Sequence, residues 1–281
     1  MSRWTVQRLG FGLLALTTLI VVAPILLVIG LIVVQGLPAL SWEFISTAPR
    51  NGMKEGGIFP AIVGTILLTL GTALVAIPAG VGGAVYLSEY AHDTKLTRAI
   101  RLAIVNLAGI PSVVYGLFGL GLFVLFLQFG TSIIAGALTL AIMTLPIIIS
   151  TSEEALRAVP VEFRTVNISL GGTKWQGIRR IVLPQALPGI ITGIILGMLR
   201  AAGETAPILF TVAAFFLPRL PNSPFDQVMA LPYHLYVIST QVPGMPPQQQ
   251  YGTALVLLIL VLSLNVSATL IRSHFRRRRQ W

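Results

Sequence analysis

Six apolar runs, each long enough to cross a bilayer, decide what this chain can fold into. A helix needs about 20 apolar residues to traverse the hydrocarbon core, and such runs cover residues 11–35, 58–87, 102–127, 131–150, 188–217 and 252–271. In lipid each backbone N–H and C=O must be satisfied within the protein, so the runs are read as transmembrane helices. The charged fraction of 10% agrees, because ordinary soluble domains carry about 25%. The expected fold is an all-α membrane protein, one domain over residues 1–281 with six spans and a long polar loop at 151–187.

The first run follows Arg3 and Arg8 and precedes Ala39-Leu40-Ser41, a small-x-small pattern that resembles a cleavage site. Its apolar core far exceeds the roughly 7 to 15 residues of a signal peptide, so it is read as an uncleaved span. Arg50, Lys54 and Arg219 fall on one side of the six spans, Arg200 lies inside a span, and all the rest of the 19 Lys and Arg fall on the opposite side. The positive-inside rule makes that basic side cytoplasmic, with both termini on it. A net charge of +10 is then mainly a matter of topology, and the run from Arg276 to Arg279 is expected to meet anionic lipid headgroups rather than nucleic acid.

Zero cysteines exclude disulfides, thiolate metal sites and a cysteine nucleophile. His92, His234 and His274 stand far apart and are read as structural or surface residues, so no metal site is expected. Pro24, Pro78, Pro111, Pro146 and Pro207 interrupt the apolar runs, which membrane helices tolerate where neighbours satisfy the freed backbone groups. Gly189, Gly193 and Gly197 recur every four residues, a smooth stripe along which another helix can approach.

The 151–187 stretch is too long for a simple connector, since helix connections in bundles usually take about 2 to 8 residues. Glu153, Glu154 and Leu156 lead into Arg157. Pro160 then restarts the chain through the apolar set Val161, Phe163, Val166 and Leu170, and Gly171-Gly172-Thr173 breaks it. Glycines can take positive φ and make a tight corner, which places two helical pieces at an angle. Trp175, Ile178 and Ile181 continue at helical spacing beyond it.

On these residues the chain resembles the membrane subunits of ABC importers, whose loop reads Glu-Ala-Ala, three residues, Gly, nine residues, Ile, one residue, Leu-Pro. Gly171, Ile181, Leu183 and Pro184 fit that spacing, whereas the triplet positions hold Thr165, Val166 and Asn167. The resemblance implies the type I ABC importer permease fold, with a cytoplasmic coupling helix seated on an ATPase subunit. Leu170, Gly171, Gly172, Lys174, Trp175, Ile181, Leu183 and Pro184 are the residues expected to couple to it.

The second informative stretch is Arg200-Ala201-Ala202-Gly203-Glu204-Thr205-Ala206-Pro207. Arg200 lies 12 residues into its run, about 18 Å along a core of roughly 30 Å. An unpaired arginine there costs roughly 2.5 to 3.5 kcal/mol on insertion scales, so it needs a partner or water. Glu204, four residues on, is expected on the same helix face. The pair is either a structural tie within the bundle or a fork of donors for an anionic solute; Arg200, Glu204 and Thr205 are the expected substrate path.

The string Arg-Ala-x-Gly-Glu-Thr-Ala-Pro resembles the signature of phosphate-specific ABC importer permeases, and its Ala-Pro ending is similar to the PstA type. That resemblance implies a bacterial inner-membrane complex. Its parts are a heterodimer with a PstC-type permease, two copies of a cytoplasmic ATPase and an extracytoplasmic phosphate-binding protein. The chain itself is expected to bind no cofactor, ATP being used by the partner subunits. No G-x-x-x-x-G-K-[ST] occurs, and Gly172-Thr173-Lys174 does not replace it.

An intramembrane enzyme is disfavoured by the absence of G-x-S-x-G, of H-E-x-x-H and of a second carboxylate beside Glu204. A secondary transporter would show internal repeats with paired broken helices. A lone arginine suits any small oxyanion, so sulfate and molybdate stand as alternatives to phosphate. The proline-rich 218–250 segment cannot form one long helix, and its apolar stretch from Val228 to Ile238 is expected at the membrane interface on the docking side.

Overall fold

A computed structural model describes residues 3–169 and 171–277; Leu170, Arg278 and Arg279 lie outside the described residues. The helices are α1 (Arg3–Gly36), α2 (Trp42–Ser46), α3 (Phe59–Val85), α4 (Lys95–Ala108), α5 (Ser112–Gly119), α6 (Ile133–Arg157) and α7 (Val161–Ser169). They continue as α8 (Lys174–Gly177), α9 (Leu183–Gly203), α10 (Ala206–Thr211), α11 (Leu231–Thr240) and α12 (Pro247–Arg277). A short antiparallel hairpin, β1 (Pro49–Arg50) with β2 (Glu55–Gly56), lies between α2 and α3. Wide π turns extend α3 through Tyr86–Tyr90, extend α5 through Leu120–Phe126, and join α8 to α9 through Ile178–Val182.

Among the described residues five helices are long and apolar enough to cross a membrane, and a sixth span exists only if α4 and α5 count as one. These two are bent by 104° where a continuous span over 102–127 was expected. Pro111 supplies the reason: it lacks an N–H, and its ring excludes the preceding helical turn. The Tyr115 hydroxyl closes the corner by donating to the Leu107 carbonyl at 2.8 Å. Pro24, Pro78 and Pro146, by contrast, sit inside helices.

Helix α6 is packed between α3 and α9, and α1 lies against α12 with most of its apolar surface uncovered. The glycine stripe of α9 is the seam with α6. A Cβ on Gly189, Gly193 or Gly197 would come within 2.4, 2.9 and 2.9 Å of Ala155, Thr151 and Ile148. Any larger side chain would push the two helices apart, so the stripe fixes their separation and register. Residues 151–157, expected in the loop, belong to α6, and α9 starts at Leu183 rather than 188.

The 228–238 stretch packs into the protein rather than lying uncovered on its surface. Val228, Met229, Ala230, Leu231, Tyr233, Val237 and Ile238 are buried in the main apolar cluster, and the Leu231 N–H donates to Thr65 Oγ1 at 2.8 Å. Burying a backbone donor demands a partner, which a threonine of α3 provides and no local sequence pattern announces. The preceding segment caps the start of α6. Ile133 and Ile134 donate to the Asp226 and Pro224 carbonyls, each at 3.0 Å. His234 is buried, His92 is exposed, and no metal-binding cluster occurs among the described residues.

Candidate functional site

Two regions carry the sequence-expected residues: a break inside the bundle and an elbow at one end of it. At the break, α9 stops at Gly203 because continuing it would drive the Pro207 ring against the Gly203 carbonyl. Glu204 is extended (φ −76, ψ 137), and the chain restarts as α10 with Pro207 in its first turn, where a missing N–H goes unnoticed. The span expected over 188–217 is therefore discontinuous.

Arg200 lies in the last turn of α9, and its Nε donates to Glu204 Oε1 at 3.4 Å. The expected pair forms, but not because the two share a helix face: Glu204 is the residue that ends the helix. The contact is long for a charge-assisted hydrogen bond, which ordinarily runs about 2.7 to 2.9 Å. Among the described residues Glu204 is the single hydrogen-bond partner of Arg200. Glu204 also borders a void of about 10 Å³ lined by Thr65, Thr69, Leu140, Ile208 and Pro232, space on the scale of one water molecule. Thr205 follows, half-buried, and its side chain makes no bond to the start of α10.

At the elbow, α7 and α8 meet at Gly171, whose φ of +75 explains the glycine. Asn167, which stands in the degenerate triplet, turns out to pin the corner. Its Nδ2 donates to the Thr173 carbonyl at 3.0 Å, and its carbonyl accepts from Gly172 N–H at 2.9 Å. A Cβ on Gly172 or Gly177 would come within 2.4 or 2.8 Å of the Asn167 amide. Thr173 and Gln176 then form a reciprocal cap on α8, with bonds of 3.2 and 2.9 Å.

Val166, Lys174 and Trp175 are exposed on the elbow. Ile181, Leu183 and Pro184 are half-buried at its base, with Leu183 packed against the cluster of Leu156, Val159 and Val182. The expected helical set Trp175, Ile178, Ile181 does not share one face, because the π turn shifts the register: Ile178 and Val182 are the buried positions.

Residues 76–281 match the model of the binding-protein-dependent transport system inner membrane component family. The chain belongs to that family.

This permease is 35% identical to the probable ABC transporter permease protein YqgI of Bacillus subtilis (strain 168), over 95% of both chains. It is 38% identical to the phosphate transport system permease protein PstA 1 of Mycobacterium tuberculosis (strain ATCC 25618 / H37Rv), over 80% of this chain and 72% of the relative. In fold it resembles a bacterial ABC transporter involved in the import of the acidic polysaccharide alginate, with TM-score 0.64, 14% identity, and coverage of 95% and 96% of the two chains. Inward-facing MetNI methionine ABC transporter is a second match, with TM-score 0.59, 17% identity, and coverage of 78% and 94%. Type I ABC importer permeases thus share the architecture.

The structure adds residues that the sequence did not single out. Arg164 of α7 grips Glu89 at the end of α3 with two bonds, Nη2 to Oε1 at 2.8 Å and Nε to Oε2 at 3.1 Å. It also donates to the carbonyls of Val159 at 2.6 Å and Leu156 at 2.9 Å. Arg101 of α4 donates to Glu153 of α6 at 2.8 Å and to the Leu87 carbonyl at 2.8 Å. The π turn frees that carbonyl, since Ala91 N–H bonds to Tyr86 instead. Glu89 and Arg164 are 75 residues apart, beyond the reach of any periodicity.

Proposed function

We propose that the permease is the PstA-type subunit of an ATP-driven importer of inorganic phosphate. It lines the translocation path together with a PstC-type permease and is driven by two cytoplasmic ATPase subunits. The observation that carries the reading is the Arg200–Glu204 pair: a guanidinium inside the bundle, at a helix break, held by one long bond. Relatives over most of the chain are named as phosphate transport permeases, which supports phosphate over other oxyanions.

Empty, the site is neutral, because Glu204 balances Arg200 and spares the cost of a lone intramembrane charge. A phosphate oxyanion carries the same sign as Glu204 and accepts two parallel bonds from the guanidinium fork, so it displaces the carboxylate. Thr205 offers a hydroxyl donor beside it. When the solute leaves, Glu204 returns and the charge balance is restored.

The elbow faces the cytoplasm in this reading, following the bias of Lys and Arg toward that end. The chain carries no phosphate-binding loop for ATP, so hydrolysis belongs to the ATPases. Their closure moves the elbow as a rigid body and alternates the bundle between outward and inward openings. A phosphate-binding protein supplies solute from outside.

The test is labelled phosphate uptake by bacteria stripped of their own high-affinity system and given the neighbouring transporter genes with and without this chain. Uptake should require the chain and ATP and should withstand excess sulfate. Suppression by sulfate or molybdate would transfer the site to those anions, and uptake insensitive to ATP depletion would indicate a secondary transporter.

A further inference from the structure

A coupling elbow transmits force only if it cannot tilt on its base, and the structure shows what stops it. Between the elbow and the end of α3 lies a cleft of about 360 Å³ lined by Ser88, Glu89, Arg164, Asn167, Lys174 and Ile178. Open space on that side gives the elbow room to lean. The Arg164–Glu89 fork spans the cleft, and the same guanidinium holds the Leu156 and Val159 carbonyls where α6 ends. Lys174 adds a weaker tie, its Nζ 4.9 Å from the centre of the Tyr90 ring.

We infer that Arg164 and Glu89 are positioning residues for transport, a clamp that makes the elbow, the end of α3 and the end of α6 move as one body. Their role is separate from ATPase docking. Val166 and Trp175 are exposed, whereas Glu89 is almost wholly buried with a side-chain exposure of 6%. Cutting the clamp therefore leaves the docking surface in place and lets the elbow rock without carrying the spans along. ATP is then hydrolysed with less solute moved. Coupling between distant sites ordinarily amounts to about 5- to 150-fold in affinity, which sets the scale of the loss expected in uptake per ATP.

The inference rests on the importer reading, and the test separates the two. The chain holds no cysteine, so a pair introduced into it is labelled at those two positions alone within this subunit, and partner subunits are used free of reactive cysteines. Spin labels on Tyr86→Cys and Ser169→Cys, both exposed positions, report the distance between α3 and the elbow in the assembled complex. In the otherwise unchanged complex the distance distribution should be narrow and the same with and without ATP. In Arg164→Gln and Glu89→Gln it should broaden or shift with nucleotide, and Arg164→Lys, which keeps the charge but not the fork, should lie between.

In the same complexes with the binding protein, ATPase copurification should be unchanged while uptake per ATP falls by about tenfold. A distribution as narrow in Arg164→Gln as in the parent would overturn the clamp, as would unchanged uptake per ATP or loss of the ATPase. Failure of the unmodified complex to move phosphate would sink the phosphate reading alone, because the distance measurement judges the clamp whatever the solute.

Discussion

Arg164 and Arg200 each face a glutamate, and the two pairs are built in opposite ways. At the elbow, Glu89 and Arg164 have side-chain exposures of 6% and 24%, and the guanidinium makes a fork to the carboxylate and further bonds to carbonyls. At the helix break, Glu204 and Arg200 have exposures of 18% and 28% and meet through one bond of 3.4 Å. A charge with every donor engaged is expensive to release, since breaking a buried pair by removing one partner costs about 3 to 5 kcal/mol. A charge with spare donors can trade one anion for another. On the proposed reading the same residue types make a fixed joint at one place and an exchangeable site at the other.

The sharpest way to break the comparison is Arg200→Gln, which should abolish phosphate uptake while the subunits still copurify. Unchanged transport kinetics would remove Arg200 from the path. Next in size is Gly171→Pro: proline fixes φ near about −65°, which the corner at φ +75 cannot accept. The elbow should lose its shape and the ATPase should no longer copurify; an intact, active complex would show that this corner is not what the ATPase reads.

A smaller effect is expected for Asn167→Ala, which removes the bond to the Thr173 carbonyl and the packing against Gly172 and Gly177. The loss should be about 1 kcal/mol, seen as faster amide exchange over residues 171–177 with uptake reduced but present. Smallest of all is Arg98→Ala. Arg98 bonds Asp93 at 2.9 Å through two nitrogens, and this holds the Asp93 carboxyl below its ordinary value. Whatever that pair contributes is present above the unfolded carboxylate pKa and fades as pH falls through the lowered one. Both groups are solvent-exposed, where ion pairs contribute little, so uptake and thermal stability at neutral pH should match the parent.

Much of the site was legible because its signals are local. The four-residue glycine stripe of α9 announced a close helix seam without naming its partner, and the Gly171-Gly172 corner fell where Gly171 takes the left-handed backbone. Arg200 stood out because a charge in an apolar run has to be answered. Glu204 does lie beside Arg200, but as the residue after the helix end rather than as a neighbour on one continuous helix face, because Pro207 ends α9. The 102–127 run is apolar enough for one straight span, yet Pro111 makes a corner of 104° within it. Hydropathy averages over a window and is blind to one proline, so it finds spans better than it finds their breaks.

What the sequence determined by itself is whatever acts through neighbours along the chain: which segments are long and apolar enough to cross lipid, where a glycine corner is possible, and that a guanidinium falls within an apolar run. What only the tertiary structure decided is which distant groups meet. The Val228–Ile238 stretch has the composition of an interfacial segment, yet it packs into the core, where Val228 N–H meets the Val212 carbonyl and Leu231 N–H meets Thr65 of α3. Arg164 looked like one more basic loop residue until folding brought Glu89 and two helix-terminal carbonyls around it. Hydrogen bonds of this kind depend on positions in space, and the chain specifies those positions only through the packing of all its helices at once.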